Sequence, residues 1–191
     1  MKHFALLAFL VCVTIACSAA DRDSQIDDIR EATFRYQFAK NASGQQATAK
    51  VYFLSFIVPG KLDGHDPSDD FMKRFAGHNP RVAKASQAKT SKDDVVRDSK
   101  TGEQGLIFSL NAIHWKSDTE VEVSGGYYEA SESASSNTYY LVKKSGKWIV
   151  ERDVMDWISL NTPNQPLERN AYVRHAGCVA AVAPAIGVAH L

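Results

Sequence analysis

The chain of 191 residues carries 22 basic and 22 acidic side chains, so its formal net charge is zero. A neutral protein has no long-range attraction for nucleic acid or for anionic membranes, which excludes the classes that bind through a basic surface. The length fits one domain with a single substantial core. We therefore expect a single-domain protein with no nucleic-acid partner.

The first 20 residues have the pattern of an export signal. Lys2 is basic, the run from Phe4 to Ala16 is apolar, and small residues precede Asp21 at the spacing of a cleavage site. We predict export to the periplasm or the extracellular space, with a mature chain that begins near Asp21. In a competing interpretation Cys17 is the lipidated first residue of a lipoprotein, and only then would the protein be held at a membrane.

The cysteines agree with simple export. Cys12 and Cys17 lie in the export signal, and Cys178 lies near the C-terminus. A mature chain that begins at Asp21 therefore holds one thiol and no intramolecular disulfide. Its stability has to come from packing.

A helix is predicted from Ser24 to Lys40, with Ser24 as its cap and carboxylates in its first turn. Its apolar residues form two faces. Phe34 and Phe38 make up the smaller face. The larger face is a stripe at helical spacing, formed by Ile26, Ile29, Ala32, Thr33, Tyr36 and Ala39. We expect the sheet to cover the stripe, and a loop, the C-terminal tail or the partner in a homodimer to cover Phe34 and Phe38.

A buried strand and a short helix follow. The segment from Lys50 to Val58 is apolar on both faces and ends at Pro59-Gly60, which predicts a strand buried on both sides. The short helix is expected to begin with Asp66 as its cap and to bury Phe71 and Phe75. Weaker strand patterns lie at residues 82–88 and 95–97, before a turn at residues 98–102.

A first hairpin is predicted from two alternating segments, Gln104 to Lys116 and Thr119 to Ala130. If the two residues between them form a tight loop, Lys116 lies opposite Thr119 and the register follows. The pair Gly125-Gly126 predicts a bulge or bend that curves the sheet. The apolar face of this hairpin would contain Leu106, Phe108, Leu110, Ala112, His114, Val121, Val123, Gly125 and Tyr127.

A second hairpin is predicted from Thr138 to Lys144 and from Lys147 to Trp157, joined by Ser145-Gly146. Glycine suits the positive φ angle of a two-residue turn. The apolar face of this hairpin would contain Tyr139, Leu141, Trp148, Val150, Arg152 and Val154. Beyond Ser159 the sequence loses its periodicity, so we predict one domain at residues 21–159 and a poorly ordered tail at residues 160–191.

This order of elements resembles the nuclear-transport-factor-2-like, or cystatin-like, superfamily, and in particular its small exported bacterial members of unassigned function. The most specific residues are Lys144-Ser145-Gly146-Lys147-Trp148, which resemble the final hairpin of that superfamily. The resemblance implies an α+β cone, in which the N-terminal helix and the short second helix pack on a curved, mostly antiparallel sheet. The resemblance leaves two functions open, catalysis or binding. The superfamily includes ketosteroid isomerases, scytalone dehydratase and polyketide cyclases as well as non-catalytic binding domains.

Four polar side chains fall on the predicted apolar face: His114, Tyr127, Tyr139 and Arg152. They are the candidates for a ligand pocket, in which the tyrosines would donate hydrogen bonds, the histidine would move a proton and the arginine would hold an anion. The alternative is that the tyrosine rings simply pack in the core. None of the four matches a catalytic motif, so we assign no catalytic residue.

His65 lies close to Asp63 and Asp66, but no second histidine or cysteine lies at ligand spacing, so we predict no metal and no cofactor. The serines at residues 131–136 lack a nucleophile motif and are interpreted as a flexible loop.

The sequence thus predicts an exported domain that binds a small apolar ligand or a protein partner. The alternative is an isomerase or dehydratase that acts on a small apolar substrate. A cavity with a carboxylate or histidine would favour the enzyme, and a filled core with an exposed apolar face would favour the binding domain.

Overall fold

The computed structural model of the protein describes residues 2–41, 43–44, 46–57, 64–91, 94–130 and 133–160, with the backbone alone for residues 2–20 and 160. The predicted tail, the strand end at Pro59-Gly60 and the side chains of Cys12 and Cys17 lie outside the described residues. No helix in the described part of the chain is long and apolar enough to cross a membrane.

The chain opens with one long helix, α1 (Lys2–Lys40). It starts far before the predicted cap, so Ser24 lies inside it, where the serine hydroxyl donates to the Asp21 carbonyl at 2.7 Å. The predicted cap is therefore wrong. The predicted end is confirmed, because the helix stops at Lys40 and the Asn41 side chain donates to the Gln37 carbonyl at 2.9 Å.

The buried side of α1 differs from the predicted stripe. It consists of Gln25, Ile29, Thr33, Phe34, Gln37 and Phe38, whereas Ala39 is exposed. Phe34 and Phe38 thus belong to the face that packs on the rest of the domain. Their rings contact Tyr52, Phe56 and Phe108 from the sheet, Phe71 from the second helix and Phe75 from the turn after it. Within the described residues, the sheet, the second helix and the turn after it therefore cover these two rings.

Within the described residues, seven strands form one open sheet, in the order β2-β1-β6-β7-β8-β9 with β3 also paired to β1. The strands are β1 (Val51–Ile57), β2 (Gly64–His65), β3 (Arg81–Lys84), β6 (Gly105–Trp115), β7 (Glu120–Ala130), β8 (Ser133–Lys144) and β9 (Lys147–Leu160). The pairs β1–β3 and β1–β6 are parallel, and the others are antiparallel. The fold is therefore α+β with a mostly antiparallel sheet, as predicted.

Smaller elements connect these strands. They are helix α2 (Asp69–Lys73), a 3₁₀ turn (Ala85–Gln87) and a ribbon of β4 (Ala88–Thr90) and β5 (Val96–Asp98). The cap of α2 is Ser68, whose hydroxyl accepts from the Phe71 N–H at 3.2 Å. The predicted cap, Asp66, instead accepts hydrogen bonds from the backbone and hydroxyl of Ser86.

The sheet has two faces with different coverings. On the helix face, which packs on α1 and α2, lie Tyr52, Leu54 and Phe56 of β1 with the rest of the main core. On the opposite face, which we call the open face, Val51 and Phe53 pack with Val96 of the ribbon in a smaller cluster. Residues 51–56 are all buried, which confirms the strand predicted to be buried on both sides.

The first hairpin has a bulge that changes its register. Phe108 lies opposite Tyr127, as predicted, but Trp115 lies opposite Val121, one residue from the predicted pairing. The extra residue is Asn111, between Leu110 and Ala112, so the predicted irregularity beside Gly125 is confirmed. The predicted two-residue loop is wrong, because strand pairing stops at Trp115 and resumes at Glu120.

The second hairpin closes as predicted. Ser145 and Gly146 have φ angles of 50° and 79°, the positive values of a tight hairpin turn, and Lys144 lies opposite Lys147. The register then shifts at Glu151, so that Arg152 lies opposite Tyr140 and Asp153 lies opposite Tyr139. Arg152 and Val154 are therefore not on the helix face, and their predicted placement is wrong.

The core packing can be tested at Phe108, which is fully buried between Phe38 and Tyr52. Phe108→Ala should lower the free energy of unfolding by about 3 to 5 kcal/mol, because it removes a ring and leaves a cavity. Ile107→Ala, on the other face of the same strand, is the matched control and should cost clearly less. Urea unfolding measures both, and equal losses would contradict this assignment of faces.

Asp98 organises the turn before β6. Its carboxylate accepts hydrogen bonds from the backbone N–H groups of Thr101 and Lys100, each at 2.8 Å. It also forms an ion pair with Arg81 at 2.7 Å. The bond from Thr101 and then the one from Arg81 lower the pKa of Asp98 to about 2.

Because the pKa of Asp98 is lowered in the folded state, its carboxylate stabilises the fold above the ordinary aspartate pKa, and this stabilisation is lost as the pH falls through about 2. We expect the free energy of unfolding, measured in urea, to decrease between about pH 4 and pH 2. Asp98→Asn should flatten this decrease, whereas Asp23→Asn, at an exposed position, should leave it unchanged. An unaltered slope in Asp98→Asn would contradict the assignment.

Candidate functional site

Aromatic rings fill the helix face beside Phe34 and Phe38, near the C-terminal end of α1. The Phe38 ring lies 5.0 Å from Tyr52 and 5.2 Å from Phe108, and Phe34 lies 5.9 Å from Phe56. Phe71 and Phe75 of the α2 region close the same cluster. This part of the helix face is packed core.

The helix face becomes polar on the side of α1 from which Gln37 reaches β7 and β8. Gln37, Ser43, Glu129, Ser135 and Asn137 are all buried there. Tyr127 and Tyr139, two of the predicted pocket residues, are each 4% exposed and lie on the same face. We call these seven residues, with Tyr36 and Asp153, the polar cluster. Buried polar groups are costly to desolvate, so their bonding partners decide whether they form a site or only a network.

Asp153 holds one half of the polar cluster together. The Tyr36 hydroxyl donates to one carboxylate oxygen and the Asn137 amide donates to the other, each at 2.8 Å. The Ser135 hydroxyl in turn donates to the Asn137 carbonyl oxygen at 2.9 Å. Burial, and then the bond to Asp153, raises the pKa of Tyr36. Both carboxylate oxygens therefore already have protein donors.

Gln37 holds the other half. Its amide nitrogen lies 3.1 Å from the Tyr139 hydroxyl and 3.4 Å from the carbonyls of Ser109 and Gly126. A Cβ atom on Gly125 would lie 2.4 Å from the Ser109 carbonyl and 3.3 Å from the Gln37 amide, so the glycine is required for this close approach. The side-chain oxygen of Gln37 has no hydrogen-bond partner among the described residues.

The two buried tyrosines are weak acids in this setting. Burial raises the pKa of Tyr139, and the hydrogen bond from Gln37 opposes this only in part. Burial also raises the pKa of Tyr127, against a smaller effect of Ser133. Glu129, nearby on β7, accepts hydrogen bonds from the hydroxyls of Ser43 and Ser133. Both tyrosines therefore stay protonated at neutral pH, as donors or acceptors but not as bases.

The other two predicted pocket residues lie on the opposite side of the sheet. His114 lies opposite Glu122, Glu122 opposite Tyr140, and Tyr140 opposite Arg152. These four residues form one row across β6, β7, β8 and β9 on the open face. His114 and Arg152 are exposed, so their predicted place beside Tyr127 and Tyr139 is wrong. The bulges at residues 111 and 151 are the reason, because each one turns the following side chains to the other face.

The row has internal contacts and apolar neighbours. The Arg152 guanidinium lies 3.4 Å from the centre of the Tyr140 ring, and Glu122 forms an ion pair with Lys116 at 3.0 Å. Val142 lies opposite Ile149 on one side of the row, and Val154 lies on the other. Ile149 and Val154 are 45% and 44% exposed. We call these residues and the row the open-face patch: His114, Glu122, Tyr140, Val142, Ile149, Arg152 and Val154.

A separate groove of about 370 Å³ lies between α1 and the start of α2. Its floor is Phe56, over which the Arg30 guanidinium stacks at 4.1 Å, and its wall includes His65 and Asp66. The Asp27 carboxylate forms an ion pair with Arg30 at 3.2 Å, and the Asp66 carboxylate accepts a hydrogen bond from the Ser86 hydroxyl. Within the described residues no three His, Cys, Asp or Glu side chains are grouped to hold a metal ion. Asp63, the other residue of that loop, lies outside them.

Comparisons with known proteins give no relative for this chain. No family model matches it, and neither the curated proteins nor the solved structures contain a significant match.

The bond between Gln37 and Tyr139 can be tested by removing one hydroxyl. Tyr139→Phe should lower the free energy of unfolding by about 0.5 to 1.5 kcal/mol, the net value of a typical hydrogen bond. Tyr140→Phe is the matched control, because this neighbouring ring lies on the open face and should lose little. Chemical unfolding of both variants measures the difference, and an equal loss would contradict the bond.

Proposed function

We propose that the protein is an exported, non-catalytic binding domain that holds a protein partner on its open-face patch. The observation that supports this most directly is the contrast between the two faces of the sheet. The helix face is filled by aromatic rings, and most polar groups beyond them bond to one another. The open face instead exposes Ile149, Val154 and Arg152 beside the half-buried ring of Tyr140 on β8 and β9.

The composition of the open-face patch favours a partner with apolar and acidic side chains. Ile149 and Val154 offer apolar area. Tyr140 is an aromatic anchor, and the Arg152 guanidinium stacks on its ring. Stacking restrains the guanidinium, which makes no ion pair within the described residues. Aromatic residues and arginine dominate binding energy at protein interfaces, and arginine pairs well with carboxylates. The same proposal includes the α+β cone of the nuclear-transport-factor-2-like type, which the order of the elements supports.

A second candidate function uses the polar cluster. The unpartnered oxygen of buried Gln37 could accept a hydrogen bond from a small ligand that also contacts Tyr127 and Tyr139. This candidate includes an isomerase or dehydratase acting on a small apolar substrate, since a buried tyrosine and a carboxylate are present. Against catalysis, both oxygens of Asp153 already accept from Tyr36 and Asn137, so this carboxylate is poorly placed to take a proton from a substrate.

The first test is site-specific crosslinking. A photoreactive phenylalanine analogue replaces Tyr140 in the protein produced in its own host, and the exposed residue Lys50 is replaced in the same way as the control. We expect a discrete adduct with a different polypeptide from position 140 and none from position 50. Ile149→Asp in the same chain should abolish the adduct while thermal unfolding stays unchanged. Identical adducts from both positions, or none from position 140, would contradict the proposal.

Calorimetric titration of the protein with apolar dyes and sterol-like compounds distinguishes the second candidate function from our proposal. Our proposal predicts no saturable binding to the purified protein. Saturable binding that is weakened by Tyr139→Phe and unaffected by Ile149→Asp would place the function in the polar cluster instead.

A further inference from the structure

The open-face patch is built on three cross-strand pairs of β8 and β9. The pairs are Thr138 with Val154, Tyr140 with Arg152, and Val142 with Ile149. Successive pairs lie two residues apart on β8, which corresponds to about 6.8 Å along an antiparallel strand. The two apolar ends of the patch, at Val154 and Ile149, are therefore about 14 Å apart, and the Arg152 guanidinium lies between them.

Arg152 is the cation of the patch that a partner can reach. Its side chain is exposed, and it has no carboxylate partner in the part of the chain that the structure describes. The two lysines nearby are already used. Lys116 forms an ion pair with Glu122 at 3.0 Å, and Lys144 forms one at 2.5 Å with Glu151. A carboxylate that approaches the patch therefore meets its free positive charge at Arg152.

Carboxylates border the patch on two sides. At one end, the Asp156 carboxylate accepts hydrogen bonds from the Thr138 hydroxyl at 3.2 and 3.3 Å. On β7, Glu120 and Glu122 lie beside the other two pairs. Each of these carboxylates repels an acidic residue placed over it, whereas Arg152 attracts it. The charges therefore place a partner's acidic side chain over β9, in the middle of the patch.

We propose that the open-face patch holds an extended strand of the partner with the pattern apolar–x–acidic–x–apolar, laid along β8 and β9. In a strand, residues i, i+2 and i+4 share one face and lie about 6.8 Å apart, which is the spacing of the three pairs. Strands that pack face to face align within about 30°. The acidic side chain then meets Arg152, and the apolar side chains cover Ile149 and Val154.

A helix matches the three pairs less well. Its residues i, i+4 and i+8 rise by about 6.0 Å at each step, but each step also rotates the side chain by about 40° around the helix axis. Over two steps the rotation reaches about 80°, so the third side chain no longer faces the sheet. A helix therefore covers two of the three pairs, and a strand covers all three.

This inference rests on the proposed function and names the kind of partner that the open-face patch selects. It also gives Arg152 the role of the residue that decides specificity. Its guanidinium is restrained by stacking on Tyr140 and has the planar shape that pairs with a carboxylate through two parallel hydrogen bonds.

Cyclised β-hairpin peptides test the pattern, because a preorganised strand loses little affinity through ordering. The labelled probe carries Val-Thr-Glu-Thr-Val in one strand, and fluorescence anisotropy follows its binding to the purified protein. The control peptide carries Val-Glu-Thr-Thr-Val, which has the same composition but turns the glutamate to the opposite face. We expect saturable binding of the probe and binding of the control that is weaker by about tenfold or more.

A charge exchange tests the role of Arg152. Arg152→Glu should weaken binding of the probe by about tenfold or more and should make a Val-Thr-Lys-Thr-Val hairpin the preferred peptide. Arg152→Lys should weaken it less, because lysine keeps the charge but not the paired hydrogen bonds. Lys89→Glu, at an exposed position of β4 outside the patch, changes the net charge equally and should bind like the unmodified protein.

Thermal unfolding of each variant checks that the domain remains folded. No binding of the probe, equal binding of the probe and the control peptide, or an unchanged preference in Arg152→Glu would each overturn the inference.

The crosslinking experiment separates this inference from the proposed function. Sequencing the partner segment that is joined to position 140 should reveal the apolar–x–acidic–x–apolar pattern in a strand of that partner. An adduct on a helix, or on a segment without the pattern, would overturn the inference and leave the proposed function intact. The absence of an adduct from position 140 would overturn both.

Discussion

The contact of α1 with the sheet through Phe34 and Phe38 is the interaction on which the rest of the domain depends. Phe38 packs on Tyr52 of β1 and Phe108 of β6, the two parallel strands at the centre of the fold. Phe71 and Phe75 close the cluster from the side. Each of these rings stabilises the fold by roughly 1.5 to 3 kcal/mol when it leaves water. The cluster also fixes the height and rotation of the helix over the sheet.

The position of the helix decides what the polar cluster can do. Because Phe38 is held by the core, Gln37 is directed between β7 and β8, and Tyr36 reaches Asp153 on β9. The tyrosines and carboxylates that would suit an active site are thereby used to fasten α1 to the last three strands. A network of this kind specifies one arrangement of helix and sheet, because leaving any member unpaired in the interior is costly. Within the described residues, the side-chain oxygen of Gln37 is the member of this network that has no hydrogen-bond partner.

Two bulges decide what the open face presents. Asn111 in β6 and Glu151 in β9 each add one residue to a strand, and the side chains that follow change sides. His114 and Arg152 are brought into one row in this way, while Trp115 and Asp153 take the inner positions. The bulge at Glu151 also produces the short regular stretch in which Arg152 and Val154 share a face, before the register shifts again at Asp156. The proposed binding of a protein partner on the open-face patch therefore depends on this irregularity.

The sequence by itself determined the local elements of this protein. The apolar run of β1, the alternation in β6 to β9 and the Ser145-Gly146 turn are set by neighbouring residues, and so the α+β class and the burial of Phe108, Tyr127 and Tyr139 were predictable. The tertiary structure decided which residues share a face. The bonding of Asp66 to Ser86, the covering of Phe34 and Phe38, and the sides of His114 and Arg152 depend on how segments distant in the sequence pair and pack. A bulge costs little locally and has no fixed residue type, yet it reverses every side chain beyond it, so strand alternation alone could not locate the candidate site.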